Sequence, residues 1–228
     1  MTSVELSGHP VTVPTLSIIV PARNEAVSVT EVLCSLKAQF PHAELLLVDN
    51  ASTDDTASRA VTVPGVRVVT EPGPGKGRAM RTGVEAATGA FVLFHDADTE
   101  YDVQDAVAVV ERAMSTGNCV IGARVVAFDH LRWSSWLANR LVQAMLRARF
   151  GACVADVLSG TRCMRRKDFL SLGTRSTGFG IETELAVECL RKGLVLEHRY
   201  VRYTPRTGEQ GKKIRAYHLL SLIRIALA

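Results

Sequence analysis

Two aspartates separated by one residue carry the clearest chemical signal in this sequence. Asp96 and Asp98 follow the apolar run at residues 90–95, and Glu100 comes two residues later. Residues i and i+2 of an extended segment project to the same side, so the two carboxylates converge. Carboxylate oxygens are the ligands that Mg²⁺ prefers, and Mg²⁺ commonly bridges them to substrate phosphates. A solvated acidic turn has the same pattern, but the apolar strand before it favours a cation site at Asp96 and Asp98, joined by Glu100.

A glycine-rich run at residues 73–78, GPGKGR, is the second chemical candidate. It does not fit the Walker phosphate loop, because Thr70 stands where the first glycine is required and Gly77 where Ser or Thr is required. The G-x-G-x-x-G pattern fails as well. A P-loop nucleotidase is therefore disfavoured. The run is equally compatible with two structures. One is a glycine-rich lip that brings Lys76 and Arg81 near a diphosphate, and the other is a plain turn.

Other polar clusters are ambiguous when taken one at a time. Asp49 and Asn50 follow an apolar run, and an acidic residue there accepts hydrogen bonds from a nucleobase or ribose, or caps a helix. The segment PARNE at residues 21–25 has the same ambiguity. In the second half, Asp156 or Glu182 opposite a metal site could serve as a general base, although charged helix faces are commoner.

Apolar runs alternate with helical spacings through the first half of the chain. Strands are predicted at residues 16–20, 44–48, 66–70, 90–95 and 119–124, and helices at 25–39, 53–60, 78–87 and 105–116. This alternation predicts a doubly wound parallel α/β sheet. Ligands bind such sheets beyond the carboxyl ends of the strands, where the polar clusters lie. The second half is less regular, with helices predicted at residues 134–150, 183–192 and 218–228 and a strand at 194–203.

Composition sets the class of protein and divides the chain by charge. The 228 residues are 47% hydrophobic and 22% charged, which suits one large domain or two fused halves and excludes disordered and fibrous classes. The net charge of +4 is unevenly distributed. Residues 1–128 carry 9 Lys+Arg and 15 Asp+Glu, whereas residues 129–228 carry 18 and 8. An acidic half therefore precedes a strongly basic half, and a nucleic-acid binder is disfavoured because its basic residues lack interleaved aromatics.

Cysteine usage and the absence of export signals predict a cytoplasmic protein. The five cysteines form no C-x-x-C pair, which indicates buried thiols rather than a disulfide framework or zinc site. The N-terminal residues lack the pattern of a signal peptide, and no apolar run approaches the roughly 18 residues of a membrane span. Arginines and tryptophans at residues 133–149 leave contact with the inner face of a membrane open.

Taken in order, these segments resemble family 2 glycosyltransferases of the GT-A fold, and among them the dolichyl- and polyprenyl-phosphate sugar synthases. The resemblance covers residues 16–214. It rests on IIVPARNE (18–25), LVDNASTD (47–54), GKG (75–77), RTG (81–83), ATG through DAD (87–98), IGAR (121–124), SGTR (159–162) and GFGIETE (178–184). One departure is Asn50-Ala51, which replaces an Asp-Gly pair common in the family.

The resemblance implies a single fused GT-A domain, Rossmann-like, with a mostly parallel central sheet flanked by helices. A tail at residues 1–13 would precede a half that binds nucleotide sugar and metal (14–128) and a half that binds the acceptor (129–228). The implied activity is an inverting, metal-dependent transfer of a hexose from a UDP- or GDP-sugar to an anionic acceptor, first of all a polyprenyl phosphate. A soluble hydroxyl acceptor, a sugar-1-phosphate nucleotidyltransferase and a non-catalytic binding module stay open as alternatives.

The resemblance also assigns site residues. Mg²⁺ or Mn²⁺ would be held by Asp96 and Asp98, with Glu100 in the place of a third ligand. The residues implied for the nucleotide sugar are Pro21, Ala22, Arg23, Glu25, Asp49, Asn50, Lys76, Arg81, Asp96, Ala97 and Asp98. Those implied for phosphate groups and the acceptor are Arg124, Arg162, Arg206 and Lys212. Those implied for catalysis are Glu182 as the first candidate base, Asp156 as the second, and Arg124.

Overall fold

The structure, a computed structural model, describes residues 15–125, 133–205 and 217–227, with side chains in the last two ranges from residues 136 and 222 onward. Its strands are β1 (Leu16–Ala22), β2 (Glu44–Asp49), β3 (Val66–Thr70), β4 (Phe91–Phe94), β5 (Cys119–Val125), β6 (Arg162–Arg165) and β7 (Leu196–Arg202). Its α-helices are α1 (Val29–Gln39), α2 (Thr56–Val61), α3 (Lys76–Ala86), α4 (Ala106–Thr116), α5 (Trp133–Phe150), α6 (Arg166–Leu172), α7 (Ile181–Arg191) and α8 (Tyr217–Leu227).

The seven strands form one mixed but mostly parallel sheet in the order β3-β2-β1-β4-β6-β5-β7. β6 runs antiparallel to both of its neighbours, β4 and β5, while the other pairs are parallel. The predicted α/β class with a mostly parallel sheet is confirmed. The antiparallel strand β6 and the helix α6 were not predicted. The predicted boundary at residue 128 and the tail at 1–13 lie outside the described residues.

The two faces of the sheet pack against different helices. Along β1, Ile18 belongs to a core cluster with α1 and α4, whereas Ile19 belongs to a cluster with α3 and α7. Successive side chains of a strand point to opposite faces, so a strand covered on both faces is apolar throughout. This explains why β1 and β2 are nearly continuous apolar runs.

Parallel pairing brings the ends of three strands to one edge. Ala22 at the end of β1 pairs with Asp49 at the end of β2, and Ile19 pairs with Phe94 at the end of β4. The polar residues that follow these strands therefore lie side by side. This is the edge at which sheets of this class bind ligands.

The described ranges also bear on membrane spans and on the burial of the cysteines. No helix in them has the length and apolar character needed to cross a bilayer. Of the five cysteines, Cys119, Cys163 and Cys189 are buried, but Cys34 and Cys153 are exposed. The expectation that all five thiols are buried is therefore wrong for these two, because they lie on the solvent side of α1 and in the segment after α5.

Candidate active site

A lysine joins two carboxylates at the carboxyl edge of the sheet. Lys76 is the first residue of α3, Asp96 follows β4, and Glu182 lies in the first turn of α7. The Lys76 Nζ atom is 2.6 Å from Asp96 Oδ1 and 2.8 Å from Glu182 Oε1. The side chains of Lys76 and Glu182 are only 14% and 7% exposed. The two halves of the chain thus meet in one ionic cluster.

The cluster fixes its own protonation states. Burial alone would lower the pKa of Lys76, but the charges of Asp96 and Glu182 outweigh it and raise that pKa. Burial likewise pushes the pKa of Asp96 up, and the Lys76 ammonium overcomes this and holds it below its usual range. Next to them, burial lowers the pKa of His95 to about 4, so its imidazole is neutral at physiological pH. The cluster therefore contains an ammonium and ionised Asp96.

A tight backbone segment closes over Asp96. A Cβ atom built on Gly160 would lie 2.0 Å from Asp96 Oδ2, which leaves room for glycine alone. The Gly160 N–H donates to the Tyr101 hydroxyl at 2.9 Å, and the Ser159 hydroxyl donates to the Gly122 carbonyl at 2.5 Å. Tyr101 and Ser159 are buried and were not predicted as site residues. They hold the segment at residues 159–161 against the carboxylate.

The predicted cation ligands are only partly assembled. The described part of the chain contains no group of three His, Cys, Asp or Glu side chains arranged around one cation position. The carboxylate of Glu100 accepts a hydrogen bond from the Tyr203 hydroxyl at 2.7 Å, and its backbone N–H donates to Asp98 Oδ1 at 3.3 Å. The ammonium nitrogen of Lys76, 2.6 Å from Asp96, lies where a cation would meet that oxygen. A divalent cation between Asp96 and Asp98 would have to replace the Lys76 ammonium at this oxygen and take its other ligands from substrate phosphate and water.

The residues predicted to bind the nucleotide include the ends of β1 and β2 and the residues that follow them. Asp49 is 8% exposed, and its Oδ1 atom has no hydrogen-bond partner among the described residues. Glu25 is also buried, and its carboxylate accepts a hydrogen bond from the Ser28 hydroxyl at 3.3 Å, whereas Arg23 is exposed. The side chains of Pro21 and Ala22 belong to the last two positions of β1. The buried Asp49 oxygen could therefore accept a hydrogen bond from an incoming donor.

Asn50 and Ala97 serve the local backbone. The Asn50 side-chain amide donates to the Gly73 carbonyl at 2.7 Å, and its oxygen accepts from the Gly75 N–H at 2.6 Å. The Ala97 carbonyl accepts from the Ser28 hydroxyl at 2.9 Å. Asn50 therefore shapes the glycine-rich lip with both ends of its amide.

Arg124 is bound to Asp156. The guanidinium Nε and Nη2 atoms lie 2.7 and 2.9 Å from the two Asp156 oxygens, and the Arg124 N–H donates to the same carboxylate at 3.1 Å. The guanidinium carbon is 5.1 Å from the centre of the Tyr203 ring. Burial opposes the charge, but neighbouring Tyr101 and Asp156 raise the pKa of Arg124 further. Both oxygens of Asp156 are engaged, so its predicted role as a second candidate base does not suit this arrangement.

Comparison with known proteins shows the family to which the chain belongs. The family model described as Glycosyl transferase family 2 matches residues 17–173. The chain belongs to glycosyltransferase family 2. The glycosyltransferase AglJ of Haloferax volcanii is 34% identical over 195 residues, covering 83% of this chain. An uncharacterized glycosyltransferase of Mycobacterium bovis is 35% identical over 198 residues, covering 86% of this chain and 88% of its own length.

Solved structures of a related synthase share the GT-A fold. Glucosyl-3-phosphoglycerate synthase from Mycobacterium tuberculosis, in complex with Mn²⁺, uridine diphosphate and glucosyl-3-phosphoglycerate, superimposes with a TM-score of 0.75 at 25% identity. The match covers 94% of this chain and 79% of that one. The chain spans 63% of the length of AglJ. The predicted family, GT-A fold and class of enzyme, a glycosyltransferase, are confirmed.

Two arginines of this glycosyltransferase lie away from the predicted ligand contacts. Arg162 is 1% exposed, and its guanidinium donates to the backbone carbonyls of Glu182 at 3.3 Å and Val157 at 3.1 Å. The prediction that Arg162 contacts the acceptor is therefore wrong, because a buried guanidinium cannot reach an acceptor. Arg81 donates to the Ser176 carbonyl at 2.7 Å, so part of its guanidinium is bound to the chain itself. The predicted phosphate contacts Arg206 and Lys212 lie outside the described residues.

Proposed function

We propose that this glycosyltransferase moves a hexose, with inversion, from a nucleoside diphosphate sugar to a polyprenyl phosphate, using Mg²⁺ or Mn²⁺. The observation that carries the proposal is the joining of Asp96 and Glu182 by Lys76 beside Asp98. It brings two carboxylates and one ammonium group together at the carboxyl edge of the sheet, which supports a site for a cation and a diphosphate. Mn²⁺ and uridine diphosphate in the related synthase support a UDP-sugar as the donor.

Different residues of the chain would contact the nucleoside, the cation and the phosphates of the donor. The unpartnered oxygen of Asp49 would accept a hydrogen bond from the nucleobase or ribose, with Glu25 and the end of β1 beside it. Asp96 and Asp98 would hold the cation, which neutralises charge that develops on the leaving diphosphate. Lys76 would add a second positive charge next to the same phosphates, since it begins α3 at the cation position.

An anionic acceptor agrees with the chemistry of the second half. A phosphate oxygen is already negatively charged and needs little help from a general base, so arginines suffice to orient it. Residues 129–228 carry 18 Lys+Arg against 8 Asp+Glu. The related synthase binds phosphoglyceric acid, which is also anionic. Other relatives of this chain are the glycosyltransferase AglJ and the low-salt glycan biosynthesis hexosyltransferase Agl6, both of Haloferax volcanii. If the acceptor is a hydroxyl, Glu182 is the base that the site offers.

A membrane-facing surface would bring a lipid acceptor to this site. On α5, Trp136, Leu137 and Leu141 are 39%, 60% and 38% exposed. The Arg140 guanidinium lies 5.6 Å from the Trp136 ring centre. Exposed aromatic and aliphatic side chains flanked by arginine are typical of helices that lie in the interface of a bilayer. We therefore place the protein in the cytoplasm, at the inner face of the membrane.

The first experiment screens donors and acceptors separately. Nucleotide sugars with uracil or guanine bases are added with MnCl₂, and thermal unfolding is followed, since a bound donor raises the apparent stability. The stabilising donor is then assayed with a short polyprenyl phosphate or with 3-phosphoglycerate. Transfer to the polyprenyl phosphate supports the proposal, and transfer to 3-phosphoglycerate alone overturns its acceptor.

Asp98→Ala tests the metal chemistry. We expect it to lose metal-dependent transfer and Mn²⁺ stabilisation, whereas Asp102→Asn, a control at a residue paired with Arg202, retains both. Full transfer by Asp98→Ala with metal present contradicts the proposal. Formation of nucleotide sugar from nucleoside triphosphate would instead favour the nucleotidyltransferase alternative. Binding of donor with neither transfer nor donor hydrolysis would favour a binding module.

A further inference from the structure

Glu184 holds the loop at residues 174–178, which connects α6 to α7. Its carboxylate accepts hydrogen bonds from the backbone N–H groups of Arg175 at 2.8 Å and Ser176 at 2.7 Å. Two donors to one ionised carboxylate make strong hydrogen bonds, because one partner carries a full charge. The side chain therefore fixes the orientation of two consecutive peptide groups.

The carbonyl side of the same loop contacts the start of α3. The Ser176 carbonyl accepts from Arg81 Nη1 at 2.7 Å, and the Thr177 carbonyl accepts from the Arg78 N–H at 3.2 Å. The loop thus lies between α7, which holds its amide groups, and α3, which holds its carbonyl groups. Neither helix can shift relative to the other without breaking these bonds.

The glycines of the lip make this approach feasible. A Cβ atom on Gly75 would lie 2.2 Å from the Thr177 oxygen, and one on Gly77 would lie 2.1 Å from the Ser176 oxygen. Gly75 also has a φ of +137°, which L side chains rarely adopt. These two glycines are thus required by the loop that packs on them, and this requirement needs no phosphate ligand to explain it.

Lys76 stands between the two glycines. Its ammonium bridges Asp96 and Glu182, and Glu182 lies two residues before Glu184 on α7. The bonds from Glu184 through the loop to α3 therefore connect the helix that carries Glu182 to the helix that carries Lys76.

We infer that Glu184 is a positioning residue, which holds Lys76 and Glu182 in register through the 174–178 loop. Only the activity measurement below rests on the proposed function. Loss of the Glu184 carboxylate would release two amide groups at the surface, where water can take them, so the fold would persist while the loop and the start of α3 gain freedom.

The test compares Glu184→Ala and Glu184→Gln with Glu188→Gln. Glu188 lies one turn further along α7, and its carboxylate pairs with Arg191 at 2.5 Å. It has the same charge as Glu184 and lies on the same helix, but its partner is not in the loop. Two measurements are independent of activity. One is the rate of trypsin cleavage after Arg175, and the other is the rate of Lys76 acetylation by acetic anhydride, both followed by mass spectrometry.

We expect both rates to rise about tenfold in Glu184→Ala, because the hydrogen bonds lost are made to a charged group. Glu184→Gln, which keeps one acceptor oxygen and the side-chain volume, gives a smaller increase and serves if the alanine variant does not fold. Glu188→Gln matches the wild type. Unchanged acetylation of Lys76 in both Glu184 variants would overturn the inference, even if the loop is cleaved faster.

Measurements of sugar transfer distinguish failure of the inference from failure of the proposed function. With the donor and acceptor found for the wild type, we expect kcat of Glu184→Ala to fall about tenfold or more, since small misplacements at a reacting centre are costly. The KM of the acceptor stays unchanged, because the Glu184 carboxylate accepts hydrogen bonds from backbone N–H groups and not from the side chain of a lysine or arginine. If the wild type transfers no sugar, the proposed function fails, and the acetylation rates still decide the inference. Wild-type kcat combined with faster acetylation would contradict a role in positioning for catalysis.

Discussion

Gly160 and Asp96 are packed so closely that a Cβ atom on the glycine would lie 2.0 Å from the carboxylate oxygen Oδ2. Neither Gly160 nor the Asp96 carboxylate can easily move away from this contact, because each is also bound elsewhere. The Gly160 N–H is bound to the Tyr101 hydroxyl, and the other Asp96 oxygen is bound to Lys76 at 2.6 Å. The backbone of the second half of the chain therefore fixes the direction of the Asp96 carboxylate in the first half, which we propose as a cation ligand.

Gly160→Ala should displace this carboxylate and impair sugar transfer. A shift of about 1 Å at a reacting centre can cost about 100-fold in rate, and overpacking costs about 1–3 kcal/mol of unfolding free energy. The checks are kcat with metal and donor, together with urea denaturation. Gly178→Ala is the control for stability, because its Cβ would meet no atom within 4 Å. Unaltered kcat in a folded Gly160→Ala protein would contradict the role given to this contact.

The edge that carries the site could be predicted because each polar cluster follows its own strand. Asp49 and Asp96 both come directly after apolar runs, and a local pattern suffices to place such residues. The Lys76–Glu182 pair could not be found in this way, because nothing local to either residue specifies a partner in the other half of the chain. Glu184 was missed for the same reason, since its partners are backbone amides of a loop.

β6 shows why one strand escaped sequence analysis. Its four residues, RCMR, begin and end with arginine, so no apolar run or alternation marks them. Arg162 can nevertheless be buried at the start of this strand, because distant backbone carbonyls satisfy its guanidinium. Tertiary contacts override a local pattern in such cases. The same burial accounts for the wrong prediction of Arg162 as an acceptor contact.

Arg162 should contribute to stability rather than to acceptor binding. Arg162→Met removes the donors to the carbonyls of Val157 and Glu182, and each buried group left unsatisfied costs about 1–3 kcal/mol. We expect a clear loss of unfolding free energy in urea with an unchanged acceptor KM in the protein that stays folded. A raised acceptor KM at wild-type stability would restore Arg162 to the acceptor site.

Glu44 should make the fold sensitive to acid. Burial would raise its pKa, but hydrogen bonds from the Ser17 hydroxyl and from the N–H and hydroxyl of Thr88, together with Arg67, lower it overall. A lowered pKa in the folded state adds stability above the ordinary value of about 4.3, and this stability is lost as the pH falls through the folded pKa.

Glu44→Gln should therefore be less stable than the wild type at neutral pH, with a difference that shrinks as the pH falls below about 4. In acid the wild-type carboxyl is protonated and resembles the glutamine. Urea denaturation at a series of pH values measures the difference, with Glu31→Gln on the exposed face of α1 as the control. A difference that stays constant down to acid pH would show that the charge of Glu44 is not what stabilises the fold.

Ala51 should gain stability on replacement by glycine. Its φ is +53°, in the left-handed region, where an L residue costs about 1–2 kcal/mol. Glycine removes that cost but loses about 0.5–1 kcal/mol through the greater freedom of the unfolded chain. The turn is held from both sides, since the Asn24 N–H donates to the Ser52 hydroxyl at 3.1 Å and the Thr53 N–H donates to the Asn24 side chain at 2.8 Å. The departure Asn50-Ala51 thus places a strained residue where the family commonly has glycine.

We expect Ala51→Gly to raise the unfolding free energy by about 0.5 kcal/mol, the balance of these two effects. Ala57→Gly, within the helix α2, is the matched control and should lower it by about 1 kcal/mol, the difference in helix propensity. Urea denaturation of the two variants and the wild type measures both values under one condition. If both substitutions lower the stability equally, the left-handed turn at Ala51 stores no strain, and the departure from Asp-Gly has no energetic consequence for the fold.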